Sequence, residues 1–95
     1  MSFFIIDYIY DPAKDADAVR PVHRAYLREL YAAGSLKAAG PLLGTDPVRA
    51  LLIVETPDEA AAAALSDADP MVVEGVVMKR SITEWNPVTG VFAQA

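Results

Sequence analysis

The stretch Val48-Arg49-Ala50-Leu51-Leu52-Ile53-Val54-Glu55-Thr56-Pro57-Asp58-Glu59 decides the fold. Val48 to Glu55 reads as a strand, and Ala50 to Val54 is apolar on both of its faces, so neither side suits water. Thr56-Pro57-Asp58-Glu59 reads as a helix start: Thr at the cap, Pro at the first position and Glu where a capping box places it. Downstream, an alanine-rich helix runs to about Ser66, and its small side chains let it lie close to a sheet. Asp69-Pro70 opens a short turn or helix that ends near Gly75. Val76 to Trp85 alternates and reads as another strand, stopped by Asn86-Pro87.

Upstream of the central stretch, Phe3 to Tyr10 is rich in aromatic and β-branched residues. Its two faces, Phe3, Ile5, Asp7, Ile9 and Phe4, Ile6, Tyr8, Tyr10, are both largely apolar. Asp11-Pro12 ends it. A helix follows, capped by Asp15 or Asp17, with Pro21 in or near its first turn. Val19, Val22, His23, Tyr26, Leu27 and Leu30 recur at helical spacing and predict one buried stripe. Gly34 stops the helix. Leu36 to Leu43 reads as a strand bent at Gly40-Pro41, and Thr45-Asp46-Pro47 as a turn.

The order βαββαβ predicts an α+β, ferredoxin-like sandwich with a four-stranded antiparallel sheet, in a single domain over residues 1–95. Two helices can cover one face of such a sheet. The other face keeps apolar side chains from the first and third strands, so a symmetric homodimer is expected to bury it.

Composition removes several function classes. The chain has 95 residues, 54% hydrophobic and 22% charged, which is too apolar for a disordered segment. A net charge of −5, with eight Lys and Arg spread along the chain, offers no concentrated basic face, so nucleic acid is not an expected partner. Without cysteine there is no disulfide, thiolate nucleophile or thiolate metal site. A single histidine precludes a multi-histidine metal site within one subunit, and neither a metal nor another cofactor is expected. The N-terminus lacks a basic n-region, and Asp7 interrupts its apolar run, so it does not read as a secretory signal. No stretch has the length of a membrane span. The default expectation is a soluble cytoplasmic protein with no membrane partner.

His23 is the one side chain whose ordinary pKa suits acid–base chemistry near neutrality. On an apolar helix face a lone histidine is usually a hydrogen-bonded core residue. Asp69 before Pro70 is first of all a helix cap, although one carboxylate can both cap a helix and orient an imidazole. Arg20 lies one helical turn before His23 and, with the helix N-terminus, suits a carboxylate or phenolate; it can equally lie on a solvated surface. Tyr8 is a candidate substrate contact or a core residue. Pro41 is a candidate pocket wall or part of an edge-strand bend. Ser81 is a candidate donor on the pocket face or an ordinary strand serine.

Arg20-x-x-His23, Gly40-Pro41, Ala68-Asp69-Pro70 and the strand ending Glu84-Trp85-Asn86-Pro87 occur in this order over nearly the whole chain. In these motifs the sequence resembles the YciI-like (YCII-related) proteins of the dimeric α+β barrel superfamily. The resemblance implies a ferredoxin-like subunit, a dimer, and a small pocket holding a His–Asp pair, here His23 and Asp69. One characterised relative is a dehydrochlorinase acting on a chlorinated hydroxyhydroquinone, and its histidine and aspartate fall on these positions. A polar residue it also uses falls on the last strand, where this chain has Lys79 and Ser81.

The leading expectation is therefore a cofactor-independent lyase or isomerase acting on a small aromatic or anionic metabolite. His23 would be base and then acid, Asp69 its orienting partner, and Arg20, Tyr8, Pro41 and Ser81 would contact the substrate. The alternatives are a non-catalytic small-molecule binding protein, a structural dimerisation module without a ligand, and a cofactor-free monooxygenase.

Overall fold

Nine-residue strand β1 (Ser2–Tyr10) lies inside a four-stranded sheet, where it pairs antiparallel with β3 (Arg49–Thr56) on one side and β4 (Val77–Trp85) on the other. Strand β2 (Leu36–Leu42) adds to the outer edge of β3, giving the order β2-β3-β1-β4 with every neighbouring pair antiparallel. The structure is a computed structural model and describes residues 1–93. Residues 94–95 of the expected single domain lie outside the described residues. Helix α1 (Ala16–Ala32) links β1 to β2; α2 (Glu59–Asp67) and the single turn α3 (Pro70–Val73) link β3 to β4. This is the ferredoxin-like βαββαβ arrangement expected from the element order.

Period-two alternation sorts β1 cleanly. Phe4, Ile6, Tyr8 and Tyr10 are buried on the helix-covered face, together with Ala50, Leu52 and Val54 of β3. Ala62 of α2, Met71 of α3, Leu36 and Val76 complete the core. Ile5, Asp7 and Ile9 sit on the opposite face, part-buried, beside Leu51 and Ile53. At one end of that open face the chain after β4 returns, and Phe92 packs on Phe3 and Trp85 with ring centroids 5.9 and 6.2 Å apart.

Several local expectations need correction. Of the two expected caps it is Asp15 that closes α1, its side chain accepting from the Ala18 amide, and Pro21, expected in or near the first turn, falls in the second. Its missing N–H leaves the carbonyl of Asp17 without its usual intrahelical donor. Val22 does not belong to the buried stripe and is 62% exposed, because it lies at the outer edge of the arc that Val19, His23, Leu27 and Leu30 turn to the sheet. Thr56 is the last residue of β3, not a cap; Asp58 caps α2 through the Ala61 amide. The irregularity in β2 falls between Leu36 and Ala38, and the pairing runs regularly through Gly40 and Pro41. Pro41 is tolerated there because β2 is an edge strand.

Candidate active site

The site is built where α1 crosses the loop joining α2 to α3. Pro70 holds Asp69 extended, at φ −65° and ψ 126°, so the chain turns out of α2 and straight into α3. Asp69 is fully buried, and a buried carboxylate must be met by donors. Three converge on it. Oδ1 accepts from the Met71 amide at 2.9 Å and is 2.7 Å from His23 Nδ1, while Oδ2 accepts from the Tyr8 hydroxyl at 3.0 Å. Asp69 thus caps α3 and holds the imidazole at once.

His23 is 8% exposed. With Nδ1 given to Asp69, Nε2 makes no bond within the described residues. Arg49 Nε is the one wholly enclosed side-chain nitrogen or oxygen among them that lacks a partner, so His23 Nε2 keeps contact with solvent. It does so at a cleft of about 400 Å³ between α1 and the β2–β3 side of the sheet, lined by Arg20, His23, Arg24, Tyr10, Pro41 and Leu52 among others. The cleft pairs an apolar floor with two guanidinium groups on one wall. Arg20 is engaged by Asp17 one turn earlier, whereas the Arg24 side chain makes no hydrogen bond or ion pair with a described residue. Burial and the charge of Asp69 both raise the pKa of Tyr10, keeping its hydroxyl protonated at the cleft wall.

Of the residues named from sequence, His23, Arg20 and Pro41 line this cleft, and Asp69 lies directly behind His23. Tyr8 is fully buried and lines no part of the cleft; it faces the back of Asp69, so it is not placed to touch a substrate. Burial, opposed by its bond to Ser66, raises its pKa strongly. Ser81 is on the wrong side of the sheet. It pairs with Asp7 across β1–β4, and alternation turns both toward the open face, with Ser81 Oγ 3.5 Å from Asp7 Oδ2. The β4 residue that reaches the site region is Arg80, opposite Tyr8, whose Nη1 donates to Ser66 Oγ at 3.0 Å and to Asp67 Oδ1 at 2.7 Å. The helix N-terminus expected to assist Arg20 is already occupied by the Asp15 side chain. Arg24 and Tyr10 were missed. Arg24 could have been found four residues after Arg20, along the same edge of the helix.

Among the described residues no three His, Cys, Asp or Glu side chains gather as a metal-ligand set, and no helix is long and apolar enough to cross a membrane.

Sheet order and helix placement define a ferredoxin-like α+β subunit with a four-stranded antiparallel sheet. Within that class the chain belongs to the YCII-related family, whose domain model matches residues 1–86. The fold is similar to that of 5-chloro-2-hydroxyhydroquinone dehydrochlorinase from Burkholderia phenoliruptrix AC1100, solved in complex with 2,5-dihydroxybenzoquinone. The TM-score is 0.77 at 22% identity, over 88% of this chain and 93% of that one. It is also similar to an antibiotic biosynthesis monooxygenase, with a TM-score of 0.59 at 17% identity, over 90% and 97% of the two chains. No curated protein sequence matches the chain.

Proposed function

We propose that the protein is a cofactor-independent lyase or isomerase that acts on a small aromatic or anionic metabolite in the His23 cleft. The observation that carries this reading is the His23–Asp69 contact: one ring nitrogen is fixed by a buried carboxylate and the other is open to a cleft with a free guanidinium. An imidazole so held is a general base at Nε2, and the carboxylate behind it stabilises the imidazolium that forms. In an elimination, Nε2 takes a proton from the substrate, and the electron pair left behind expels the leaving group as an anion. Arg24, seconded by Arg20, favours a substrate carrying a carboxylate or phenolate. Apolar side chains of Leu27 and Leu52 suit a planar ring. The fold shared with a dehydrochlorinase supports this chemistry.

The test is chloride release from 5-chloro-2-hydroxyhydroquinone, alongside titration with 2,5-dihydroxybenzoquinone. Turnover lost in His23→Ala is the expected result. Binding that needs the cleft but gives no turnover would replace the enzyme with a binding protein. Neither binding nor turnover would contradict a dehydrochlorinase-like site.

Assembly belongs to the same reading: two copies pack their open sheet faces. Ile5, Ile9, Leu51 and Ile53 form an incompletely covered apolar field. Within it Arg49 pairs with Asp7 at 3.5 Å, a long, part-exposed contact that a cover over this face would shield from water. Analytical ultracentrifugation at micromolar concentration is expected to give a dimer, and Ile53→Lys to give monomer or aggregate. A monodisperse wild-type monomer would overturn the assignment.

A further inference from the structure

Behind Asp69 the hydrogen bonds continue, and their direction is fixed by chemistry at both ends. As a carboxylate, Asp69 only accepts, so the single Tyr8 hydroxyl proton is spent on Oδ2. Tyr8 must then accept from its other neighbour, Ser66 Oγ, at 2.8 Å. Ser66, having donated, accepts from Arg80 Nη1, a group that can only donate. The burial that raises the Tyr8 pKa keeps that hydroxyl a donor. Each polar link between the guanidinium and the carboxylate is buried: Ser66 is 1% exposed, and Tyr8 and Asp69 are fully enclosed.

We propose that Arg80, Ser66 and Tyr8 form a one-way hydrogen-bond relay that positions the Asp69 carboxylate, so that the neutral His23 ring carries its proton on Nδ1 and presents a bare Nε2 to the cleft. The relay spans three elements. Tyr8 comes from β1, Ser66 from the end of α2 and Arg80 from β4, so the sheet and the helix layer jointly set the angle of one carboxylate. Met71's amide holds Oδ1, and Tyr8 holds Oδ2. Two fixed oxygens leave the carboxylate plane no rotation, and His23 meets it in one orientation. The consequence deepens the proposed function and rests on it: the first proton transfer runs from substrate to enzyme, so the substrate must bring an acidic C–H or O–H to Nε2. The relay itself is a statement about Tyr8, Ser66 and Arg80 as positioning residues, and stands or falls without a substrate.

His23 is the single histidine, so ¹⁵N-histidine labelling gives one ring spectrum. In the wild type at a pH where the ring is neutral, Nδ1 is expected to resonate as a protonated nitrogen and Nε2 as a bare one, with slow Nδ1–H exchange. The variants are Tyr8→Phe, Ser66→Ala and Arg80→Met, each checked for fold by its backbone amide spectrum; Arg80 is peripheral, so its variant remains usable if the buried ones misfold. Two effects oppose. Removing a donor from Oδ2 alone makes the carboxylate a better acceptor and tightens the Nδ1–H bond. Loss of positioning loosens it. The relay predicts loosening: Nδ1–H exchange faster and Nε2–H population higher by roughly threefold to tenfold in Tyr8→Phe, with smaller changes in the same direction further along the chain. Arg80→Lys, which can still donate to Ser66, should restore most of the wild-type behaviour. An unchanged or more tightly held Nδ1–H in the folded variants would overturn the relay, as would a wild-type ring protonated on Nε2. A wild type that shows the Nδ1–H ring and the loosening in its variants but turns over no substrate would instead count against the proposed reaction alone.

Discussion

Asp7 and Tyr8 are consecutive on β1, and the pleat sends them into two different chemistries. Tyr8 goes to the helix-covered face, where its own side chain is sealed from solvent and every side-chain polar atom of Ser66 and Asp69 is met at 2.7–3.0 Å. Asp7 goes to the open face, where its contacts to Arg49 and Ser81 are both 3.5 Å and Arg49 Nε has no partner. Around Asp69 the covered face is closed, with the cleft opening beside it at His23. The open face has longer polar contacts and apolar side chains still partly in water, which supports the proposed packing of two copies there. A polar group therefore has large consequences on one side of β1 and small ones on the other.

Matched substitutions break that comparison most strongly. Asp69→Ala strands the Tyr8 hydroxyl, the Met71 amide and His23 Nδ1 in the interior, and is expected to cost about 3–5 kcal/mol in urea unfolding. Asp7→Ala removes a part-exposed pair and is expected to cost about 1 kcal/mol or less. Comparable losses at the two sites would show that the open face is as tightly organised as the covered one. Asp69→Asn keeps the shape and two of the acceptor contacts, and should fall between them.

Alkaline pH sharpens the comparison with a smaller effect. Burial raises the pKa of Tyr8, and to a lesser degree those of Tyr10 and Tyr26. In the unfolded chain these hydroxyls ionise at about pH 10. Below that pH both states keep the proton and stability is unaffected. Above it the unfolded chain releases protons that the folded chain retains, so stability falls as pH rises. Tyr8→Phe should flatten this decline without removing it. An equally steep decline in Tyr8→Phe would show that Tyr8 is not the sealed group described.

The fold was legible because each element carries its own period. Strand β1 is apolar on both sides, α1 has a clear stripe, and Asp69-Pro70 announces a cap. His23 and Asp69 could be singled out for the same reason: one sits in the stripe and the other at the cap. What the chain could not disclose was side. The alternation of β4 offers Ser81 and Arg80 equally, and which one turns to the helices depends on the β1–β4 register, which shifts between Ile9 and Tyr10. An arginine on the covered face also contradicts simple patterning, and it is tolerated because Ser66 and Asp67, distant in sequence, receive it. Tyr8 was misjudged as a substrate contact for the converse reason: its hydroxyl looks like a ligand group until its buried partners are known.

The most direct measurement is the rate of chloride release from 5-chloro-2-hydroxyhydroquinone in wild type, His23→Ala, Asp69→Asn and the double variant, each verified as folded. If the pair acts as one device, His23→Ala abolishes turnover, Asp69→Asn lowers it by about 10²-fold or more, and the double variant is no slower than His23→Ala alone. Wild-type rates in His23→Ala, or losses that multiply in the double variant, would contradict a His23–Asp69 reaction centre.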